Sequence, residues 1–375
     1  MQRMRIVSNL VICSALLLLS GQLLFAQGGE TDEEAKERII NNLMVGANKA
    51  FTDGNIAVAK DSLKNLFEMD SQFAPAYFIY GKINVREKNY VEAGTNIRRS
   101  IQLDPENEKY RKELKNIIGL NYNDGNLEYK KGNYAKAVEK YDTVLMFDAG
   151  YSSAYYMKGI IAKRQRNTKE SIEQFSKAIN ADPTMSTAYY ARGNSYLSDR
   201  NYDRAIQDFE TATSLNPNDA KAWTNIGAIE LNRKNYDEVI VATQKAIEAD
   251  PKMARAYRDQ GIAYSKMGNW TKAVSLQEKS TSLNKRDSRA FFHLAEAYNQ
   301  LNNCEGARDA ALTATGIKAT NGGSWVELGL AYKCLTMEAE AIAAFEKAKR
   351  DGRWREVAVY NIDIIVNKSK YNLDD

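Results

Sequence analysis

A pattern of small, aromatic and proline residues returns every 34 residues through this chain, and a strict long period leaves few folds open. Counted from Ser186 as position 1, position 4 is Tyr189, position 8 Gly193, position 11 Tyr196, position 20 Ala205, position 24 Phe209, position 27 Ala212 and position 32 Pro217. The copy that starts at Ala220 places Trp223, Gly227, Ala246 and Pro251 at positions 4, 8, 27 and 32. Nine copies fit, with starts at Ile40, Ala74, Ile118, Ser152, Ser186, Ala220, Ala254, Ser288 and Gly322. Only the step from Ala74 to Ile118 breaks the period, at 44 residues, which isolates residues 108–117 as an insertion. A period of this length means one supersecondary unit stacked on copies of itself. Stacking gives an extended surface and no single globular core, so length sets no domain count.

The spacing inside each copy reads as helix, tight turn, helix. Position 8 is Gly or Ala in all nine copies, and position 20 is Ala except for Ser171 and Val239. Small side chains there let two helices approach, because a bulkier residue would overpack the contact. Larger fillers such as Tyr155, Trp223, Trp325, Tyr264, Phe175 and Phe345 occupy positions 4, 11 and 24. The turns are polar, as in Lys131-Gly132-Asn133 and Met267-Gly268-Asn269. Four of the five prolines fall at position 32, where they stop the second helix. Lys285, Ala319 and Arg353 replace proline toward the C-terminus, in keeping with atypical end copies.

These residues resemble the tetratricopeptide repeat, a helix-turn-helix unit of 34 residues. The resemblance runs from Ile40 to Arg353 and is similar to that of exported bacterial periplasmic members of the family. It implies an all-α chain: an α-solenoid of about nine helix-turn-helix units in a superhelix, closed by a C-terminal capping helix. The organisation expected is a signal peptide at 1–26, a flexible lead-in at 27–39, repeats one and two at 40–107, a helical insertion at 108–117, repeats three to nine at 118–353, and a capping helix with a tail at 354–375. Tyr110, Leu114 and Ile117 recur at helical spacing in the insertion, which lengthens the first helix of the third repeat or adds a short one before it.

Arg3 and Arg5 precede an apolar run from Leu10 to Ala26, and Ala26-Gln27 reads as the cut of a secretory leader. Retained, the same run would serve as a membrane anchor. Cys13 follows Ile12 rather than a small residue and makes a poor lipid acceptor. The formal charge is +4, from 52 Lys and Arg against 48 Asp and Glu, and losing Arg3 and Arg5 leaves +2. That bias is too small to argue for nucleic acid or an anionic membrane.

Catalytic signatures are missing. One histidine, His293, has no second histidine for a metal pair and no nucleophile motif to serve. No Cys-x-x-Cys pair and no glycine-rich phosphate loop occurs, so no cofactor and no metal are expected and the chain reads as non-enzymatic. After a cut at Ala26, Cys304 and Cys334 remain, at position 17 of one copy and position 13 of the next. In the family stack both lie near one edge. Two readings stand: a bridge, which an exported chain allows, or two partly buried free thiols.

Family members line a concave groove with positions 2, 5, 6, 9, 12 and 13 of the first helices. Position 5 carries Tyr122, Tyr156 and Tyr190 in three successive copies, with Asn126 following in the first of them. A tyrosine offers a flat apolar face and a hydroxyl, which suits an extended or amphipathic peptide. Members that clamp a peptide carboxylate use five groove positions, read here as Tyr190, Asn194, Asn225, Arg255 and Asp259. Three match in kind; Tyr190 replaces a lysine and Asp259 a basic residue, which argues against terminal-carboxylate capture. Asn194 and Asn225 suit the main chain of an internal segment, since amides donate and accept. Lys221 and Arg258 add positive charge, so a partly acidic ligand fits. The partner expected is a protein or peptide, with no nucleic acid and no integral membrane segment once the leader is lost. The role expected is a cell-envelope interaction scaffold, or alternatively a chaperone-like or assembly factor with several clients.

Overall fold

The computed structural model describes residues 31–371. The leader at 1–26, the first residues of the lead-in and the end of the tail lie outside the described residues. Among those described, every regular element is helical. They form two compact bodies: residues up to Leu127 with Met146–Asp148, and Glu128–Leu145 with everything from Ala149 on. The first contains α1 (Asp32–Thr52), α2 (Ile56–Met69), α3 (Ala74–Arg86), α4 (Tyr90–Leu103) and most of α5 (Glu108–Lys130). The second holds most of α6 (Tyr134–Phe147), then α7 (Ser152–Arg164), α8 (Thr168–Ala181), α9 (Ser186–Ser198), α10 (Tyr202–Leu215), α11 (Ala220–Arg233) and α12 (Tyr236–Ala249). It continues through α13 (Ala254–Lys266), α14 (Trp270–Leu283), α15 (Ser288–Gln300), α16 (Cys304–Ile317), α17 (Gly322–Cys334), α18 (Glu338–Ala348) and α19 (Arg355–Val366), then a 3-10 turn at Lys368–Tyr371. Odd-numbered helices up to α17 are the first helices of the repeats and even-numbered ones the second. In the first body α2 packs on α1 and α3, and in the second body each second helix from α8 to α18 packs on its own first helix and on the next one, the antiparallel stacking of a solenoid.

One backbone feature repeats at every turn. The left-handed residue is Gly54, Lys88, Gly132, Arg166, Arg200, Lys234, Gly268, Asn302 and Thr336 in turn, which is position 15 of each of the nine copies. Position 16 is asparagine in all but the last copy, and the side-chain carbonyls of Asn167, Asn201, Asn269 and Asn303 accept from backbone N–H groups in the first turn of the second helix. Glycine costs nothing at a positive φ, whereas a branched Cβ crowds the following carbonyl. Thr336, at φ 59°, bears the largest penalty of the set. Thr336→Gly is expected to raise the unfolding free energy by about 0.5–1 kcal/mol, the relief being partly offset by the freer unfolded chain. Urea midpoints of the two proteins check it, and an unchanged or lower midpoint would refute it.

The first body departs from the expected lead-in. Helix α1 starts at Asp32, well before the first repeat at Ile40, because the Thr31 hydroxyl accepts from the Glu34 amide while the Glu34 carboxylate accepts from the Thr31 amide. This capping box, with Asp32 and Glu33 in the same turn, satisfies end amides and complements the helix dipole. The inserted residues are the N-terminal part of the single helix α5, where Tyr110 and Ile117 are buried. Ile117 packs with Tyr90, Ala93 and Ile97 of α4, and the Tyr110 ring lies 4.9 Å from that of Phe78.

The second body ends on α19, whose Ala358 and Ile365 pack against Val326, Ala341, Phe345 and Ala348. Beyond it the chain turns back, and Lys370 and the Tyr371 hydroxyl both donate to Asp363. These contacts hold the carboxyl of Asp363 down to about 2. The segment read as a tail is thus a folded turn as far as Tyr371.

Candidate partner-binding surface

The first helices of the second body stand side by side, and their polar side chains join across them. The Asn194 amide donates to the Tyr190 carbonyl at 2.8 Å, and the Asn225 amide donates to the Asn194 side-chain oxygen at 3.3 Å. Arg255 then donates to the Asn225 side-chain oxygen at 3.2 Å and pairs with Asp259 at 3.4 Å. Arg258 donates to Asp259 at 3.0 Å and to Asp287, the N-cap of α15, at 2.6 Å. One line therefore crosses α9, α11 and α13 and ends on α15. It uses positions 2, 5, 6 and 9, so these positions share one face.

This arrangement alters two electrostatic expectations. Asp259 is 2% exposed, and its charge is met by Arg255 and Arg258 rather than left to repel a ligand. The positive charge of Arg258 is in turn held by Asp259 and Asp287, so it is not a loose cation awaiting an acidic partner. Lys221 and Arg255 stay exposed. Asn194 and Asn225 each retain hydrogen-bonding capacity beyond the line, because an amide has two N–H groups and two lone pairs.

Tyr156 and Tyr190 are half-buried, with ring centres 5.7 Å from Phe175 and 5.8 Å from Phe209. Each ring thus rests on the second helix of its own repeat while keeping part of its surface open. Tyr122 and Asn126 belong to the first body, and both are half-buried.

Further along the same face lies a titratable group that the position-5 series did not point to. His293, at position 6 of the eighth repeat, contacts Glu296 through Nδ1 at 2.8 Å, and Lys266 reaches the other Glu296 oxygen at 3.4 Å. Burial lowers the pKa of His293, partly opposed by Glu296, so the ring is neutral at pH 7. Glu327, at position 6 of the ninth repeat, accepts from the Asn299 amide at 2.8 Å. Burial pushes its carboxyl up to about 7, although the Asn299 bond favours the charged form. The missed signal was position 6 itself, which reads Asn225, Asp259, His293 and Glu327 in four successive copies. Among the described residues no three His, Cys, Asp or Glu are grouped to hold a metal ion. No helix among them is long and apolar enough to cross a membrane.

The structure joins Cys304, the first residue of α16, to Cys334, the last of α17, with Cα atoms 5.8 Å apart. That separation is within the ordinary disulfide range.

Family models for the tetratricopeptide repeat match residues 152–185, 190–254 and 258–322, the same stretch that carries this face. Residues 152–185, 190–254 and 258–322 are tetratricopeptide repeats. Such repeats mediate protein–protein interaction and are as a rule non-catalytic scaffolds. No curated protein matches the chain at a significant level. Among solved structures, the C-terminal part of a TPR repeat-containing protein from Cytophaga hutchinsonii is 15% identical, with a TM-score of 0.50 over 64% of this chain and 98% of that one. PilF of Pseudomonas aeruginosa is 18% identical, with a TM-score of 0.48 over 60% and 98%. YrrB, described as a TPR protein with an unusual peptide-binding site, is 19% identical, with a TM-score of 0.45 over 51% and 98%. At these identities the likeness is one of fold.

Proposed function

We propose that this tetratricopeptide-repeat protein is an exported, non-enzymatic scaffold of the cell envelope that holds a peptide segment or helix of a partner protein against its first-helix face. The observation that carries the reading is the hydrogen-bonded line from Tyr190 to Asp287. It fixes amides and guanidinium groups in a row beside half-buried tyrosine rings, and a ligand then meets polar groups that need no further ordering. The exposed Lys221 and Arg255 favour a segment with some acidic character. Export rests on the basic and apolar leader, in which Arg3 and Arg5 precede Leu10 to Ala26.

Tyr156→Ala with Tyr190→Ala is expected to weaken partner binding by at least about tenfold, a loss of ~1.4 kcal/mol, while the protein stays folded. A crosslinking pull-down from the native envelope identifies the partner, and calorimetry on the double variant measures the loss. Unchanged affinity with a large fall in melting temperature would make the rings core residues and refute the reading. A heterogeneous set of captured proteins would favour a chaperone-like factor with several clients.

A further inference from the structure

On the opposite side of the second body, consecutive repeats are bridged by one recurring polar contact. The side chain at position 7 of a repeat reaches the side chain at position 25 of the repeat before it. Lys158 pairs with Asp142 at 2.6 Å, Arg192 donates to Ser176 at 3.0 Å, and Gln260 donates to Gln244 at 3.4 Å. At the next junction position 7 is Leu294, and the Tyr298 hydroxyl donates to Glu278 in its place.

The junction between the fifth and sixth repeats departs from this rule. Position 7 there is Ile226, which offers no donor to Glu210 at position 25. Position 11, which supplies Tyr298 in the eighth repeat, is Glu230, a carboxylate already held by Arg233 and Asn235. Position 23, occupied by Asp208 in the fifth repeat to hold Arg192, is Ala242. The side chains that fill the junctions on either side are thus absent from this one, and a cleft of about 820 Å³ opens there. Its floor is apolar, with Trp223, Ile226 and Val241, and Val241 is 57% exposed. Five carboxylates and one lysine line it, and that lysine, Lys245, lies 4.3 Å over the Trp223 ring.

We propose that this cleft docks a basic segment of a partner protein, a lysine or arginine meeting Glu210 while a neighbouring apolar side chain covers Ile226 and Val241. Two observations carry it. The rim has a strong excess of negative charge, which selects a cationic ligand. The chain itself shows the completed contact one and two junctions earlier, where Arg192 and Lys158 supply the cation that Ile226 cannot. This is a second surface, on a face other than that of Tyr156 and Tyr190, and it does not rest on the function proposed for them.

Two blocked synthetic peptides of equal length test it on the full chain, one alternating leucine with arginine and the other leucine with glutamate. The arginine peptide is expected to bind and the glutamate peptide not to. Glu210→Gln should weaken the arginine peptide about fivefold, the scale of one exposed charge pair. Ile226→Lys places a cation beside Glu210 as Lys158 stands beside Asp142, and should abolish binding. Val241→Arg, at an exposed site, should do the same without touching buried residues. Equal binding of the two peptides, or full affinity in Val241→Arg, would overturn the proposal. Dimerisation that Val241→Arg abolishes would seat a second copy of the chain there and overturn the assignment to a different partner.

Discussion

Truncating Phe209 to alanine is expected to lower the unfolding free energy by about 3–5 kcal/mol, the range for a fully buried phenylalanine. Phe209 is 0% exposed and lies in a cluster with Ala205, Ala212, Ala222, Ile226 and Ile229, so it ties its own repeat to the next. Its ring fills the space that Gly193 leaves open: a Cβ at Gly193 would stand 2.8 Å from it. The relation repeats along the chain, with Gly159 against Phe175 and Gly329 against Phe345, both at 2.6 Å. Nothing else at position 8 could collapse into the hole that Phe209→Ala leaves, because glycine has no side chain to move. The cost should therefore fall at the upper end. Gly193→Ala tests the same contact from the other side, by overpacking, and should cost about 1–3 kcal/mol. Urea unfolding followed by circular dichroism measures both. A loss below about 1 kcal/mol for Phe209→Ala would mean that this contact does not hold the two helices together.

That pairing was legible in the sequence, since it needs only two residue types at fixed positions. The turns were legible only in part. The polar turns at Gly132 and Gly268 were read as turns, but the left-handed residue they share with Lys88, Arg166, Lys234 and Thr336 was not read, and at those four positions it left no glycine to mark it. There the stacked helices impose the turn and override local preference. The first-helix face was legible as a set of positions and not as chemistry. Asn194, Asn225 and Arg255 were read as separate ligand-binding groups, whereas in the fold they bond to one another across 30 or 31 residues. Such contacts depend on side-chain reach between neighbouring helices, which a single-copy reading does not contain. Asp259 shows the consequence: read alone it is a repulsive charge, and read in place it is the counter-ion of two arginines. The cleft beside Ile226 was harder still to see. It arises from a contact that is missing between the fifth and sixth repeats, and only the Lys158, Arg192 and Gln260 bridges make the omission visible.

Breaking the link between Cys304 and Cys334 is expected to destabilise the C-terminal repeats by about 3.5 kcal/mol, the chain-entropy value for a loop of about 30 residues. The two residues are 30 apart in sequence, with Cα atoms separated by 5.8 Å, so the native backbone accepts the bond as it stands. The location makes the effect matter. The bond joins the start of α16 to the end of α17, next to the left-handed Thr336, in repeats that have lost the usual position-32 proline. A solenoid repeat is held only by its neighbours, so its end repeats are where opening begins. With the bond intact, α17 cannot leave without unfolding α16, and fraying is confined to α18 and α19. Cys304→Ser should therefore lower the unfolding midpoint, and reductant should do so in the parent protein but not in the variant. Hydrogen exchange should speed up first in α17 and α18. Free-thiol titration of the protein isolated from its native cells without reductant decides whether the bond forms in place. Two reactive thiols, or a midpoint unmoved by reductant, would refute it and leave Cys304 and Cys334 as ordinary small residues at the edge of the stack.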